Sequence, residues 1–175
     1  KSFDIGYLYI PDTITYINPG AAFGCSYIDV DENNKYYSSD EQGVLFNKDK
    51  TTLIQYPAGS DATKYVIPNS VTSIGYGAFY NCTRLESITV PFVGGSATSN
   101  RYLGYIFGTS NSGMPSSLKT VIISDKCTSM SSNAFEGCTH IENLTIPFIG
   151  QNADGTGFSN FGYIFGADDE TYPHY

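Results

Sequence analysis

The chain has 175 residues, 41% of them hydrophobic and 15% charged, so it can bury a core and is not a disordered tail. A formal net charge of −8 repels phosphate backbones and anionic lipid, which argues against nucleic acid and membrane surfaces as partners. No apolar run reaches the roughly 20 residues of a membrane-spanning helix, and no charged-then-apolar leader precedes Lys1, so any signal peptide is expected to have been cut away.

Residues 7–30 read as a shortened first coil. Tyr7-Leu8-Tyr9-Ile10 alternates as a half-buried strand with Leu8 and Ile10 inward, and Pro11 ends it because proline cannot donate to a ladder. Ala22-Phe23 and Cys25 follow, then Tyr27-Ile28-Asp29-Val30 as the next strand. Residues 31–61 break the pattern. Gly43-Val44-Leu45-Phe46 and Thr51 to Tyr56 flank the polar Asn47-Lys48-Asp49-Lys50, which predicts a β-hairpin.

The organising feature begins at Ile67. The stretch Ile67 to Pro91 returns 56 residues on, as Ile123 to Pro147. Apolar positions match: Ile67 with Ile123, Val71 with Cys127, Ile74 with Met130, Phe79 with Phe135, Cys82 with Cys138, Leu85 with Ile141, Ile88 with Leu144 and Val90 with Ile146. Polar positions drift, with Ser132 opposite Tyr76 and His140 opposite Arg84. An apolar skeleton kept at a fixed period above a varying surface is the mark of a repeat protein.

The coils are expected at about 7–30, 62–91, 92–123 and 123–147, with a partial coil at 148–175 and the hairpin inserted at about 31–61. The whole chain reads as one solenoid, cut inside a longer array at both ends. Spacings of three between Val71 and Ile74, and between Phe79 and Cys82, suit 3₁₀ or helical turns on the return side. In the coil of residues 92–123, Leu103-Gly104-Tyr105-Ile106-Phe107-Gly108 is expected to place Ile106-Phe107 in the slot of Ala78-Phe79. Gly162-Tyr163-Ile164-Phe165-Gly166 repeats Gly104 to Gly108 58 residues on. Phe23, Phe79, Phe107, Phe135 and Phe165 should then form a buried ladder.

Ile-Pro-x-x-Val-x-x-Ile, then Ala-Phe-x-x-Cys, then Leu-x-x-Ile-x-Val-Pro resembles the BspA-type leucine-rich repeat of bacterial surface and secreted proteins. Val30 to Pro57 also resembles a hairpin insertion common in that family. The resemblance implies an α/β repeat: a right-handed leucine-rich-repeat solenoid with short parallel strands, 3₁₀ or helical returns and a β-hairpin insertion. It implies an extracellular or bacterial cell-surface location.

Chemistry finds little footing. His140 stands at a repeat position that tolerates charge, His174 lies near the end, and no nucleophile–base–orienter set converges, so no enzyme activity and no cofactor are expected. Cys25, Cys82 and Cys138 occupy a recurring slot and Cys127 replaces Val71, which favours buried thiols over disulfides, and there is no CxxC pair for zinc. Asp29 to Asn34 offers several oxygens but lacks the glycine of a calcium loop, so a polar turn is expected there. The sequons Asn81-Cys82-Thr83 and Asn143-Leu144-Thr145 bracket expected core residues and are read as accidental.

The binding candidate is the strand face. Stacked strands alternate with period two, which turns Tyr7, Tyr9, Tyr27, Asp29, Lys64, Val66, Ser87, Thr89, Thr120, Ile122, Asn143 and Thr145 outward on one extended surface. The chain is therefore expected to be a non-catalytic extracellular interaction module that binds a protein partner, in the manner of an adhesin. The alternatives are a glycan-binding module that uses the three tyrosines, since Tyr supplies large contact area at low entropy cost, and a passive spacer that presents a neighbouring domain.

Overall fold

The computed structural model describes residues 5–18 and 24–167. Ten strands follow one another: β1 (Ile5–Ile10), β2 (Cys25–Val30), β3 (Tyr37–Ser39), β4 (Leu45–Asn47), β5 (Thr52–Gln55), β6 (Lys64–Val66), β7 (Ser73–Ile74), β8 (Ser87–Val90), β9 (Thr120–Ile123) and β10 (Asn143–Thr145). They build a β-solenoid of about six turns. The returns are turns and three 3₁₀ helices, Leu103–Phe107, Asn111–Gly113 and Phe161–Phe165, with no α-helix among the described residues.

The strands are short because each coil must turn back before a longer strand could form. Proline enforces this: Pro11 and Pro91 directly follow β1 and β8, where the ladder would otherwise need another N–H. Alternation decides which side is buried. Ile28, Val30, Tyr65, Ile67, Ile88, Val90, Val121 and Ile123 all point into the core as expected, whereas Leu144 and Ile146 in the last coil are only half-buried. Burying each aliphatic side chain contributes about 1.5–3 kcal/mol, and this drives the stacking.

On the return side, corresponding turns hydrogen-bond from coil to coil. Tyr56 N–H donates to Ala78 O at 2.8 Å, Phe79 N–H to Ile106 O at 2.7 Å and Phe135 N–H to Ile164 O at 2.9 Å. Ile106-Phe107 therefore does occupy the slot of Ala78-Phe79. Within the aromatic row, the Phe79 ring lies 5.1 Å from Tyr56 and 5.8 Å from Phe107. Phe79, Phe107 and Phe135 are buried, but Phe165 is 38% exposed because no described coil covers it. Phe23 lies outside the described residues. Tyr56 takes the next place in the row, a role that the ladder of phenylalanines did not anticipate.

The stacked strands do not form one sheet. β1 and β2 pair in parallel as a two-stranded sheet, and β6, β8, β9 and β10 form a separate parallel sheet. The expected hairpin is present as β4–β5, extended by β3 into an antiparallel meander, and β5 runs on in parallel with β7. Its leading turn enters the seam between β2 and β6. There Gly43 O accepts from Ile28 N–H at 3.2 Å, and the Tyr65 hydroxyl donates to Asp40 at 2.6 Å. Gly43 has φ +73°, and a Cβ there would meet the Tyr27 ring at 2.7 Å, so only glycine fits.

Candidate interaction face

Parallel pairing without a register slip arranges the outward residues of the larger sheet in two rows. Lys64, Ser87, Thr120 and Asn143 stand side by side in one, and Val66, Thr89, Ile122 and Thr145 in the other. All eight reach solvent in whole or part, with Val66 65% exposed. The surface is low and mixed: hydroxyls, an amide, two branched apolar side chains and one ammonium at the β6 edge. Beyond the sheet, Lys119 bridges to Glu142 at 2.9 Å and Arg84 to Asp61, both surface pairs of small energetic worth.

The tyrosine end is a different surface. Tyr7 sits opposite Tyr27 and Tyr9 opposite Asp29 across β1 and β2. The Tyr7 and Tyr27 rings lie parallel, with centroids 5.9 Å apart. The Tyr7 hydroxyl donates to Asp29 and that of Tyr9 to Asp31. A carboxylate acceptor favours the neutral phenol, so the Tyr7 hydroxyl is raised and that of Tyr9 pushed up to about 12, each mainly by its aspartate hydrogen bond. The same bond, with help from Asn33, holds the Asp31 carboxyl below its ordinary range. Tyr7 and Tyr9 are exposed, but Tyr27 is half-buried over Gly43. The twelve expected face residues thus divide between two sheets, because the meander separates them.

The other candidates resolve into structure. In the acidic turn, Asp31 accepts from Asn33 N–H at 2.8 Å, and Asn34 is fully buried. The Asn34 amide donates to Pro11 O at 2.8 Å and accepts from Tyr36 and Tyr37 N–H at 2.9 Å each. That turn is an Asx-type clamp between the first coil and the meander. All four cysteines are free thiols. Burial raises Cys25, Cys82 and Cys127 and pushes the half-buried Cys138 up to about 12, so none is activated as a nucleophile. Cys25 lies within β2, while Cys82 and Cys138 lie in turns, so the recurring slot does not extend to Cys25, and Cys138 is less buried than the other two. His140 is exposed and His174 lies outside the described residues. No cluster of metal-ligating side chains occurs among the described residues, and no helix there is long and apolar enough to cross a membrane.

Two grooves stand out among the described residues. One, of about 650 Å³, lies at the seam between the sheets and includes Tyr27, Asp40 and Tyr65. The other, of about 550 Å³, lies on the return side between Tyr76, Tyr102 and the loop Thr109 to Ser112. The strand-face reasoning missed this second groove. Its signal in the sequence is the pair of mismatches at which the repeat has Ser132 for Tyr76 and Asn160 for Tyr102.

A family profile described as the BspA type leucine-rich repeat region matches six copies of its repeat, over residues 56–147 and 109–164. The chain belongs to the BspA-type leucine-rich repeat family. The matched copies cover the larger sheet of this BspA-type chain and its return-side row from Tyr56 to Phe135, including the first Gly-Tyr-Ile-Phe-Gly coil and the second as far as Ile164. A search of curated protein sequences gives no match. Among solved structures, the pneumococcal vaccine antigen PcpA aligns at 19% identity and TM-score 0.47, over 81% of this chain and 27% of that one. A leucine-rich repeat protein from Eubacterium ventriosum aligns at 20% and 0.43, over 97% and 61%. A leucine rich cell surface protein from Faecalibacterium prausnitzii aligns at 19% and 0.43, over 90% and 51%. The BspA-type chain thus spans between 27% and 61% of the length of these proteins.

Proposed function

We propose that the chain is a non-catalytic interaction module of a bacterial surface or secreted protein, and that it binds a protein partner through the sheet β6–β8–β9–β10. The carrying observation is the pair of in-register rows, Lys64/Ser87/Thr120/Asn143 and Val66/Thr89/Ile122/Thr145. A rigid sheet presents these side chains with little ordering left to do on binding, and preorganisation of this kind favours affinity. Val66 and Ile122 supply apolar contact in a row otherwise made of hydroxyls, the mixture expected at a wet, non-obligate interface. Family membership supports the reading, since such repeats are typically interaction scaffolds without catalysis. The names of two structural relatives, a vaccine antigen and a cell surface protein, support the location.

The tyrosine end is the weaker site for a protein or glycan ligand. The Tyr7 and Tyr27 rings stack against one another, and the Tyr7 and Tyr9 hydroxyls are engaged by aspartates. The test is a panel of extracellular proteins, read by surface plasmon resonance with Thr89→Arg, Ile122→Arg and Tyr9→Ala variants alongside. The two arginine variants should weaken a hit by about tenfold or more, as expected for central interface positions, while Tyr9→Ala leaves it unchanged. Binding that survives both arginine variants would remove the larger sheet as the site. Silence of the folded protein on the whole panel would favour the spacer.

A further inference from the structure

We propose that the return-side groove is a second binding site, and that it takes a neutral oligosaccharide. The groove crosses three successive coils. Tyr76 contributes one wall, Tyr102 and the loop with Ser110 and Ser112 the middle, and Asn133 with Glu136 the far side. Its volume of about 550 Å³ falls in the range of small-molecule sites.

The composition of the lining selects the ligand. Tyrosine rings offer flat apolar faces suited to the C–H face of a pyranose, and their polar tips stay wet. Hydroxyl, amide and carboxylate groups beside them match the hydroxyl pattern of a sugar. No Lys, Arg or His lines the groove and one carboxylate does, so sialylated, sulfated or phosphorylated ligands meet repulsion with no compensating cation. None of the groove's lining residues belongs to the sheet β6–β8–β9–β10, so the two sites share no side chain.

The repeat itself indicates that the fold does not require these rings. Asn160, the counterpart of Tyr102, caps the 3₁₀ helix Phe161–Phe165 by accepting from Tyr163 N–H at 2.7 Å. Tyr102 stands at the same position before Leu103–Phe107 and makes no side-chain cap. The first N–H groups of that helix are satisfied without it, Leu103 by Ala134 O at 3.0 Å, Gly104 by Asn111 Oδ1 at 2.6 Å and Tyr105 by Tyr102 O at 3.2 Å, so position 102 is free to carry an aromatic wall. Tyr76 is 60% exposed and its counterpart is Ser132, so burial does not explain the ring either. Its hydroxyl donates to Gly108 O at 2.8 Å, and the Tyr105 ring makes T-shaped contacts with both Tyr76 (5.3 Å) and Tyr102 (6.0 Å). The two wall rings are thereby fixed before any ligand arrives.

The experiment is a glycan array that holds neutral, sialylated and sulfated oligosaccharides, probed with the chain and with Tyr102→Asn, Tyr76→Ser and Thr89→Arg variants. The first two substitutions introduce residues that already stand at the matching positions two coils on, and thermal melting confirms that they fold. Saturable binding to a neutral oligosaccharide, weakened by about tenfold in Tyr102→Asn and Tyr76→Ser and unchanged in Thr89→Arg, is the expected result. Thr89→Arg separates this site from the strand face, so either proposal can fail alone. No hit by the folded protein, hits confined to charged glycans, or affinity untouched by both groove variants would overturn the assignment. Capture of a protein that is lost in Tyr102→Asn would also overturn it, because the groove would then be a protein site.

Discussion

Phe79 shows how a single side chain joins the coils. Its ring is fully buried between Tyr56 and Phe107, and its N–H bonds the next coil. Phe79→Ala would leave a cavity in a close-packed row and should lower stability by about 3–5 kcal/mol in urea unfolding. A loss under about 1 kcal/mol would mean that the row does not hold the coils together. This role was legible beforehand because Phe79 and Phe135 recur at the repeat spacing. Tyr56 was not legible as part of the row, since it stands outside the matched stretch and its place depends on how the meander returns to the solenoid.

At the scale of elements, the first two strands carry a surface device of their own. The pair Tyr9–Asp31 links β1 to the turn after β2, and each partner shifts the other's titration. Tyr9 titrates at about 12 when folded against an ordinary 10.0, so its contribution is intact below about pH 10 and lost as pH climbs through 12. Asp31 is depressed below its ordinary 3.8, so its contribution is intact above that pH and lost as pH falls through the lower folded value. Asp31→Asn should therefore bring the Tyr9 phenolate transition down toward 10, read as the difference in ultraviolet absorbance between Asp31→Asn and Asp31→Asn with Tyr9→Phe. An unchanged transition would show that Asp31 does not hold the Tyr9 proton. The pairing arises from parallel register, which sets residues 20 apart side by side and so brings diagonal neighbours 22 apart within hydrogen-bond reach, and alternation within one strand carries no such information.

Across the whole molecule, burial is uneven. Ile88 and Val90 are fully buried, while their counterparts Leu144 and Ile146 are half-buried. Leu103 and Phe107 are buried, but Phe161 is 57% exposed at the place of Leu103. In a solenoid, stability is close to a sum over neighbouring coils, so a coil covered on one side only opens at lower free energy. Hydrogen exchange should find the β8 and β9 amides protected longest and those of Asn143–Thr145 exchanging first. Equal protection across the three strands would contradict the gradient and show that the solenoid opens as one cooperative unit.

The chain's apolar positions alone settled the coil period, the inward residues of nearly every strand and the hairpin, because burial in a repeat is a one-dimensional pattern that recurs with the backbone. The outward set was legible for the same reason, as period-two alternation leaves the other half of each strand facing water. Only tertiary structure decided that this outward set divides in two. The meander's path into the seam at Gly43 depends on backbone hydrogen bonds to Ile28 and on the Tyr65–Asp40 pair, contacts between segments that no local period encodes. The return-side groove is likewise tertiary. Tyr76, Tyr102 and Glu136 belong to three coils, and only stacking at a fixed spacing brings them to one concavity.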